Sequence, residues 1–137
     1  MRFMMMIIPK GYESAAPGTV PEDTEAVTRM MAYNESLQKA GVLLALDGLH
    51  PPSMGARVSF PGGKPVVEDG PFAEAKEVIG GYWVIDVRSR EEAIEWAKRC
   101  PASESEILEV RQVHELADYP PDVREVAKTL PEMQGRA

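Results

Sequence analysis

The apolar residues of the first long stretch without proline, residues 22–50, follow two patterns in succession. The first set recurs near the 3.6-residue period of a helix, and its members are Val27, Met30, Met31 and Leu37. The stretch then continues into an unbroken apolar run over residues 42–46, which has the length of a buried strand. The pattern therefore predicts a helix followed by a strand.

Local signals predict where this first helix begins and ends. Thr19 is followed three residues later by Glu22, which is the spacing of a capping box, and Pro21 is tolerated in a first helical turn. Gly41 is a typical residue just beyond a helix C-terminus. We therefore expect the helix to lie between Thr19 and Gly41.

The second long stretch without proline, residues 72–100, shows the reverse order. Residues 80–87 are rich in β-branched and aromatic side chains, which favours a strand. Trp83, Ile85 and Val87 would share one face of that strand, with Tyr82 on the other. Ser89 and Glu92 form a second capping-box pattern, and helical spacing continues to Pro101, so a helix follows the strand.

Shorter alternating or apolar segments supply the remaining predicted strands, over residues 1–8, 56–60, 64–68 and 107–113. The middle two would form a hairpin around the turn residues 61–63. The order predicts an α+β domain with a ferredoxin-like βαββαβ fold and an extra hairpin, in which helices cover one face of an antiparallel sheet. Because the other face would stay open, we expect two copies to pack sheet against sheet as a homodimer.

Composition narrows the partners of this 137-residue chain. Carboxylates outnumber basic side chains by 22 to 15, giving a net charge of −7, which argues against direct binding to nucleic acid or to an anionic membrane. No window is apolar enough to span a membrane, and the apolar N-terminus is too short for a signal peptide. Cys100 is a single cysteine, and two histidines without ligand spacing do not suggest a metal site. We expect a cytoplasmic protein without a cofactor.

The segment 67–77, continuing into residues 80–82, resembles the signature of the YCII-related family in its DGPF-domain branch. Its centre is Asp69-Gly70-Pro71-Phe72, with Glu74, Lys76 and a glycine pair downstream. The resemblance covers residues 1–113 as the ferredoxin-like domain. Residues 114–137 are then a C-terminal extension of the same unit, with a short helix predicted over residues 122–130. The resemblance implies a dimeric α+β barrel, and relatives look like small cofactor-free enzymes in which a His–Asp pair is suspected of acid/base work.

Asp69 and His50 are the predicted catalytic residues. The segment 69–72 is also a plain turn sequence that Phe72 would anchor in the core, so Asp69 is either a turn residue or a general base at a cavity. His50 follows an apolar strand, and imidazole side chains suit proton transfer at neutral pH. The alternative for His50 is an exposed or structural histidine.

Lys76, Glu74 and Tyr82 are the predicted substrate-binding residues. Lys76 would bind an anionic substrate or stabilise an enolate beside Glu74, and the alternative is a solvated loop with weak ion pairs. The Tyr82 hydroxyl would either line a cavity or be satisfied in the core. Asp47 and Arg57 are weaker candidates.

These residues favour a small-molecule-binding protein, and a cofactor-free acid/base enzyme of lyase or isomerase type is one form of that hypothesis. The alternative is a non-catalytic homodimeric interaction or regulatory module. An enzyme should direct Asp69 into a polar cavity, whereas an interaction module would leave Asp69 bonded to its own loop.

Overall fold

A computed structural model, which describes residues 1–128, has a four-stranded antiparallel sheet at its centre. The strands in chain order are β1 (Arg2–Pro9), β2 (Leu43–Gly48), β3 (Ala56–Ser59), β4 (Val66–Asp69), β5 (Gly81–Asp86) and β6 (Glu106–Gln112). The central sheet has the order β2-β5-β1-β6, and β3 and β4 pair separately as a two-stranded hairpin. The helices are α1 (Thr24–Lys39), α2 (Arg90–Lys98) and α3 (Pro121–Ala127).

This order confirms the predicted ferredoxin-like α+β fold with an extra hairpin. Without the hairpin, the chain order is β1-α1-β2-β5-α2-β6. One strand follows each helix, β2 after α1 and β6 after α2, and these two strands form the edges of the sheet. All pairings in the sheet are antiparallel, and β2 contains a bulge between Leu43 and Ala45. No helix within residues 1–128 is long and apolar enough to cross a membrane.

The core lies between one face of the sheet and the helices α1 and α2. Alternate residues of β1 and β5 point to this side, as the strand period requires. The cluster is Phe3, Met5, Ile7, Tyr33, Leu37, Trp83, Ile85, Val87 and Ala93. Its polar atoms are satisfied, since the Tyr33 hydroxyl donates to the Trp96 carbonyl at 2.6 Å and the Trp83 indole N–H donates to Asn34 Oδ1 at 2.7 Å.

The opposite face of the sheet keeps apolar side chains in contact with solvent. Ile107 on β6 is 57 % exposed, and Leu44 on β2 is 51 % exposed. The segment that follows β6 contacts one end of this face. There the Arg2 guanidinium donates to both carboxylate oxygens of Glu115, at 2.8 and 3.2 Å. The predicted homodimer through this face stays a prediction.

The first helix begins later than the sequence pattern predicts. Asp23 is its N-cap, and its Oδ1 accepts the backbone N–H groups of Glu25 and Ala26 at 3.0 and 3.4 Å. The prediction that Thr19 caps the helix was wrong, because the Thr19 hydroxyl donates to the Ala16 carbonyl in the preceding turn. A carboxylate that accepts two N–H groups is the stronger cap.

Two other predicted helix ends, at Gly41 and at Ser89, are confirmed. Gly41 has a φ of 74°, the left-handed conformation that ends a helix readily at glycine. Ser89 caps α2 by accepting the Glu92 N–H at 3.1 Å, while the Glu92 carboxylate reaches back to the N–H of Arg88. The predicted C-terminal helix is present as α3, and residues 129 and 130 of that prediction lie outside the described residues.

Candidate functional site

A cavity of about 610 Å³ lies at one end of the central sheet. Its wall comes from the end of β2, the start of β5, the helix α1 and the connection between β1 and α1. Met30 and Asn34 are the residues that α1 contributes to it. Small-molecule sites commonly have volumes of about 300–1,000 Å³, so this cavity has the size of a ligand site.

Two hydrogen bonds hold the connection between β1 and α1 over the residues that follow β2. The Tyr12 hydroxyl donates to the Leu49 carbonyl at 2.6 Å, and Ser53 Oγ donates to the Ala15 carbonyl at 2.9 Å. Desolvation by burial raises the pKa of Tyr12. The connection is therefore fixed as a wall of the cavity.

Gly80 and Gly81, at the start of β5, allow three backbone segments to approach each other closely beside the cavity. A Cβ on Gly80 would lie 2.8 Å from Pro9 Cγ, and one on Gly81 would lie 3.0 Å from the Asp47 carbonyl oxygen. The Gly80 N–H donates to the Ile7 carbonyl at 2.8 Å, and the Gly80 carbonyl accepts from Leu49 N–H at 2.9 Å. The absence of side chains at these glycines is what permits this close approach.

Tyr82 and Asp47 border the cavity, but their side chains form a polar pair on the face of the sheet opposite Trp83 and α1. They face each other across β5 and β2, and the Tyr82 hydroxyl donates to Asp47 Oδ2 at 2.9 Å. This hydrogen bond, followed by the negative charge of Asp47, raises the pKa of Tyr82 because the phenolate could neither donate the bond nor avoid the repulsion. Tyr82 is therefore a protonated hydroxyl held by a carboxylate.

His50 lines the same cavity, two residues beyond the end of β2. Its side chain is exposed, and it makes no hydrogen bond or ion pair with any side chain or backbone group of residues 1–128. Two of the five predicted site residues, His50 and Tyr82, border the cavity, and so does the weaker candidate Asp47. The side chains of Tyr82 and Asp47 point to the other face of the sheet.

The other three predicted site residues lie elsewhere. Asp69 ends β4, where it is exposed and pairs across the hairpin with Ala56. Glu74 and Lys76 are exposed in the irregular segment 71–80. None of the three lines the cavity beside Tyr82. Their assignment to catalysis and to substrate binding stays a prediction.

The segment 69–72 packs as a turn against the residues that follow β2. The Gly70 N–H donates to the Gly55 carbonyl at 2.9 Å, and a Cβ on Gly70 would lie 1.7 Å from the Pro52 carbonyl oxygen. Phe72 is 9 % exposed, and the Arg57 guanidinium carbon lies 4.0 Å from its ring centroid. Phe72 therefore anchors the turn, as its sequence predicts.

Several cavity residues were not predicted from the sequence. Tyr12, Asn34 and Glu106 belong to three separate parts of the chain, and only the folded sheet end brings them together. The Tyr82–Asp47 pair depends on the register of β5 against β2, which no local pattern reveals. Within residues 1–128, no three His, Cys, Asp or Glu side chains are grouped to share a metal ion.

Comparison with known proteins relates the chain to others of unassigned activity. The family model described as the YCII-related domain matches residues 1–117. An uncharacterized protein of Rhizobium meliloti (strain 1021) is 34 % identical over 87 residues, which cover 63 % of this chain and 70 % of that protein. The family match includes every strand of the central sheet and every residue of the cavity wall.

Proposed function

The chain belongs to the YCII-related domain family, and we propose that it binds a small molecule in the cavity beside Tyr82. The observation that carries this proposal is the cavity itself, about 610 Å³ in volume. Its wall is mainly apolar and aromatic, with a few polar groups, which is the usual construction of a ligand site. The turn Asp69-Gly70-Pro71-Phe72 supports a place in the DGPF-domain branch of the family.

In the catalytic form of this proposal, the enzyme is a cofactor-free lyase or isomerase. His50 transfers the proton, because it is the imidazole on the cavity wall and makes no bond within residues 1–128 that would tie it down. The hydrogen bond from the Tyr82 hydroxyl to Asp47 Oδ2 joins β5 to the end of β2 beside this wall.

A fluorescence titration tests ligand binding directly. Trp83 lines the cavity and Trp96 does not, so a Trp96→Phe variant carries a single indole reporter at the site. We expect small aromatic alcohols and amines to change the Trp83 emission saturably and to raise the melting temperature. Val20→Phe should weaken this binding, because Val20 lines the cavity and is half exposed, so the larger ring narrows the site without disturbing the core.

Val27→Phe is the matched control for that variant. Val27 lies on α1, is also partly exposed, and does not line this cavity. Val27→Phe should therefore bind like its parent. If no probe changes the Trp83 emission or the melting temperature, or if Val20→Phe and Val27→Phe behave alike, the cavity is not a ligand site.

A second function, a homodimeric interaction module, is favoured by the open face of the sheet. Ile107 on β6 and Leu44 on β2 expose apolar surface there, and sheet-against-sheet packing would bury it. Sedimentation equilibrium at micromolar concentration should give twice the chain mass of 15.1 kDa. Ile107→Lys should yield a folded monomer, whereas a monomeric parent protein would refute this second function.

A further inference from the structure

A methionine sulfur holds the connection between β1 and α1 at the point where that connection begins to line the cavity. The Gly18 N–H donates to Met54 Sδ at 3.1 Å. Residues 19–21, which follow Gly18 directly, belong to the cavity wall. Met54 itself lies in the short helical turn after β2. Its sulfur therefore anchors the first residue of the segment 18–21, which we name the wall stretch.

This bond is the single hydrogen bond that joins the wall stretch to residues 1–128 outside the connection. The wall stretch otherwise bonds through Thr19, whose N–H and hydroxyl donate to the Ala16 carbonyl at 3.2 and 2.6 Å within the same connection. The tethers at Tyr12 and Ala15 hold earlier parts of the connection. The Met54 sulfur therefore fixes the wall stretch on this side of the cavity.

The same sulfur is accessible to oxidants. Met54 is 52 % exposed, whereas Met5 and Met6 of β1 are buried. Oxidation of a methionine thioether gives the sulfoxide, which converts an apolar side chain into a polar one and is reversed by methionine sulfoxide reductases. Met54 therefore combines access to solvent with a hydrogen bond that depends on the state of its sulfur.

We propose that Met54 is a site of reversible oxidation by hydroperoxides, and that its oxidation displaces the wall stretch and weakens ligand binding in the cavity. A lone pair of Met54 Sδ attacks one peroxide oxygen, the O–O bond breaks and an S–O bond forms. The sulfur is oxidised by two electrons, and the peroxide is reduced. With hydrogen peroxide, the departing oxygen takes up the proton of the transferred hydroxyl and leaves as water.

The bond to Gly18 explains why the wall stretch moves. The new oxygen takes one lone pair of the sulfur and withdraws electron density from the other, so the sulfur no longer accepts the Gly18 N–H at 3.1 Å. The sulfoxide oxygen lies one bond further out, and the Gly18 N–H bonds to it only if the wall stretch moves. The effect on ligand affinity rests on the proposed function, whereas the movement is measured without a ligand.

Met31 provides the matched control. It is 59 % exposed, lies on α1 and does not line the cavity beside Tyr82. Its sulfur is bonded within α1, 3.7 Å from the side-chain nitrogen of Asn34. The Met31→Leu protein therefore keeps the exposed Met54 sulfur, and the Met54→Leu protein keeps the exposed Met31 sulfur.

Both variants are labelled with nitrogen-15 and treated with hydrogen peroxide, and peptide mass spectrometry locates the added oxygen. In the Met31→Leu protein, oxidation should accelerate amide hydrogen exchange at Gly18 and Thr19 about fivefold, the factor that corresponds to one ordinary hydrogen bond. Thr19 is the informative amide, because its N–H donates to the Ala16 carbonyl and not to the sulfur. A methionine sulfoxide reductase should restore the original rates.

Met54→Leu removes the acceptor without any oxidation. Its Gly18 and Thr19 amides should exchange faster than those of the parent protein, and peroxide should change them no further. Phenethylamine affinity, followed by the amide shifts of His50, should fall at least about fivefold when the Met31→Leu protein is oxidised, as for the loss of one hydrogen bond. The affinity of the Met54→Leu protein should not respond to peroxide.

The outcomes separate this proposal from the one beneath it. If peroxide oxidises Met31 but not Met54, or if oxidised Met54 leaves exchange at Thr19 unchanged, the proposal is overturned. If exchange accelerates but phenethylamine affinity stays the same, Met54 does not regulate the cavity. If phenethylamine fails to bind before oxidation, the proposed function fails for this probe, and the exchange rates alone decide whether Met54 holds the wall stretch.

Discussion

Replacing Gly70 by alanine should disrupt the packing of the turn 69–72 against the residues that follow β2. The added Cβ would lie 1.7 Å from the Pro52 carbonyl oxygen and 2.6 Å from the carbonyl carbon, so one backbone segment must move. That movement breaks the bond from Gly70 N–H to the Gly55 carbonyl, which contributes about 1 kcal/mol. It also draws Phe72 from its buried position, where burial contributes about 2 kcal/mol.

The expected loss is therefore about 3 kcal/mol in the free energy of unfolding, measured by urea denaturation. A drop of about 10 °C in melting temperature should accompany it for a chain of this size. Gly48→Ala is the matched control, because a Cβ there meets no atom within 4 Å and its φ is not positive. It should change the stability by less than about 1 kcal/mol.

Asp69→Asn tests whether the side chain of Asp69 contributes to the stability of the turn. Asp69 is exposed, and its side chain makes no hydrogen bond or ion pair within residues 1–128, so the change should stay within about 0.5 kcal/mol. If Gly70→Ala is as stable as the parent, or if Asp69→Asn is destabilised as much as Gly70→Ala, the packing argument for this turn is refuted.

Three further predictions concern a cap, a tyrosine and the cysteine. Ser89→Ala removes the acceptor of the Glu92 N–H and should cost about 1 kcal/mol in urea denaturation. Asp47→Asn should lower the pKa of Tyr82 toward its ordinary value of 10.0, seen in an NMR titration of the ring carbons. Burial raises the pKa of Cys100 from 9.0 to about 11, so the protonated thiol stabilises the fold fully below pH 9 and this contribution is lost as the pH rises through 11. Urea midpoints across that window should fall more for the parent than for Cys100→Ala, and iodoacetamide should alkylate Cys100 faster in urea than in buffer.

The fold was predictable because its signals are local. The helical spacing of apolar residues predicted α1, although Val27 is 38 % exposed and the buried residues of this helix are Tyr33 and Leu37. Ser89 caps α2 through Glu92, three positions away. The error at Thr19 has the same origin. Two residues near the helix start, Thr19 and Asp23, could each cap it, and only the folded turn shows that the Thr19 hydroxyl already has a partner.

The candidate site was predictable only in part, because its residues come from distant segments. His50 stood out by residue type just beyond β2 and Tyr82 near the start of β5, and both border the cavity. The importance of Asp47 depends on its pairing with Tyr82, which the bulged register of β2 against β5 sets. Glu106 reaches the wall because β6 pairs with the end of β1, a contact across most of the chain.

Amide chemical-shift mapping with phenethylamine tests the central claim, that the cavity beside Tyr82 binds a small molecule, most directly. Spectra of the nitrogen-labelled protein are recorded during a titration and repeated with the Val20→Phe variant. The proposal predicts saturable shifts concentrated at Asn34, Asp47, His50 and Tyr82, with weaker binding in the variant. Amide shifts spread over surface residues outside this wall, or an unchanged spectrum at saturating phenethylamine, would contradict it.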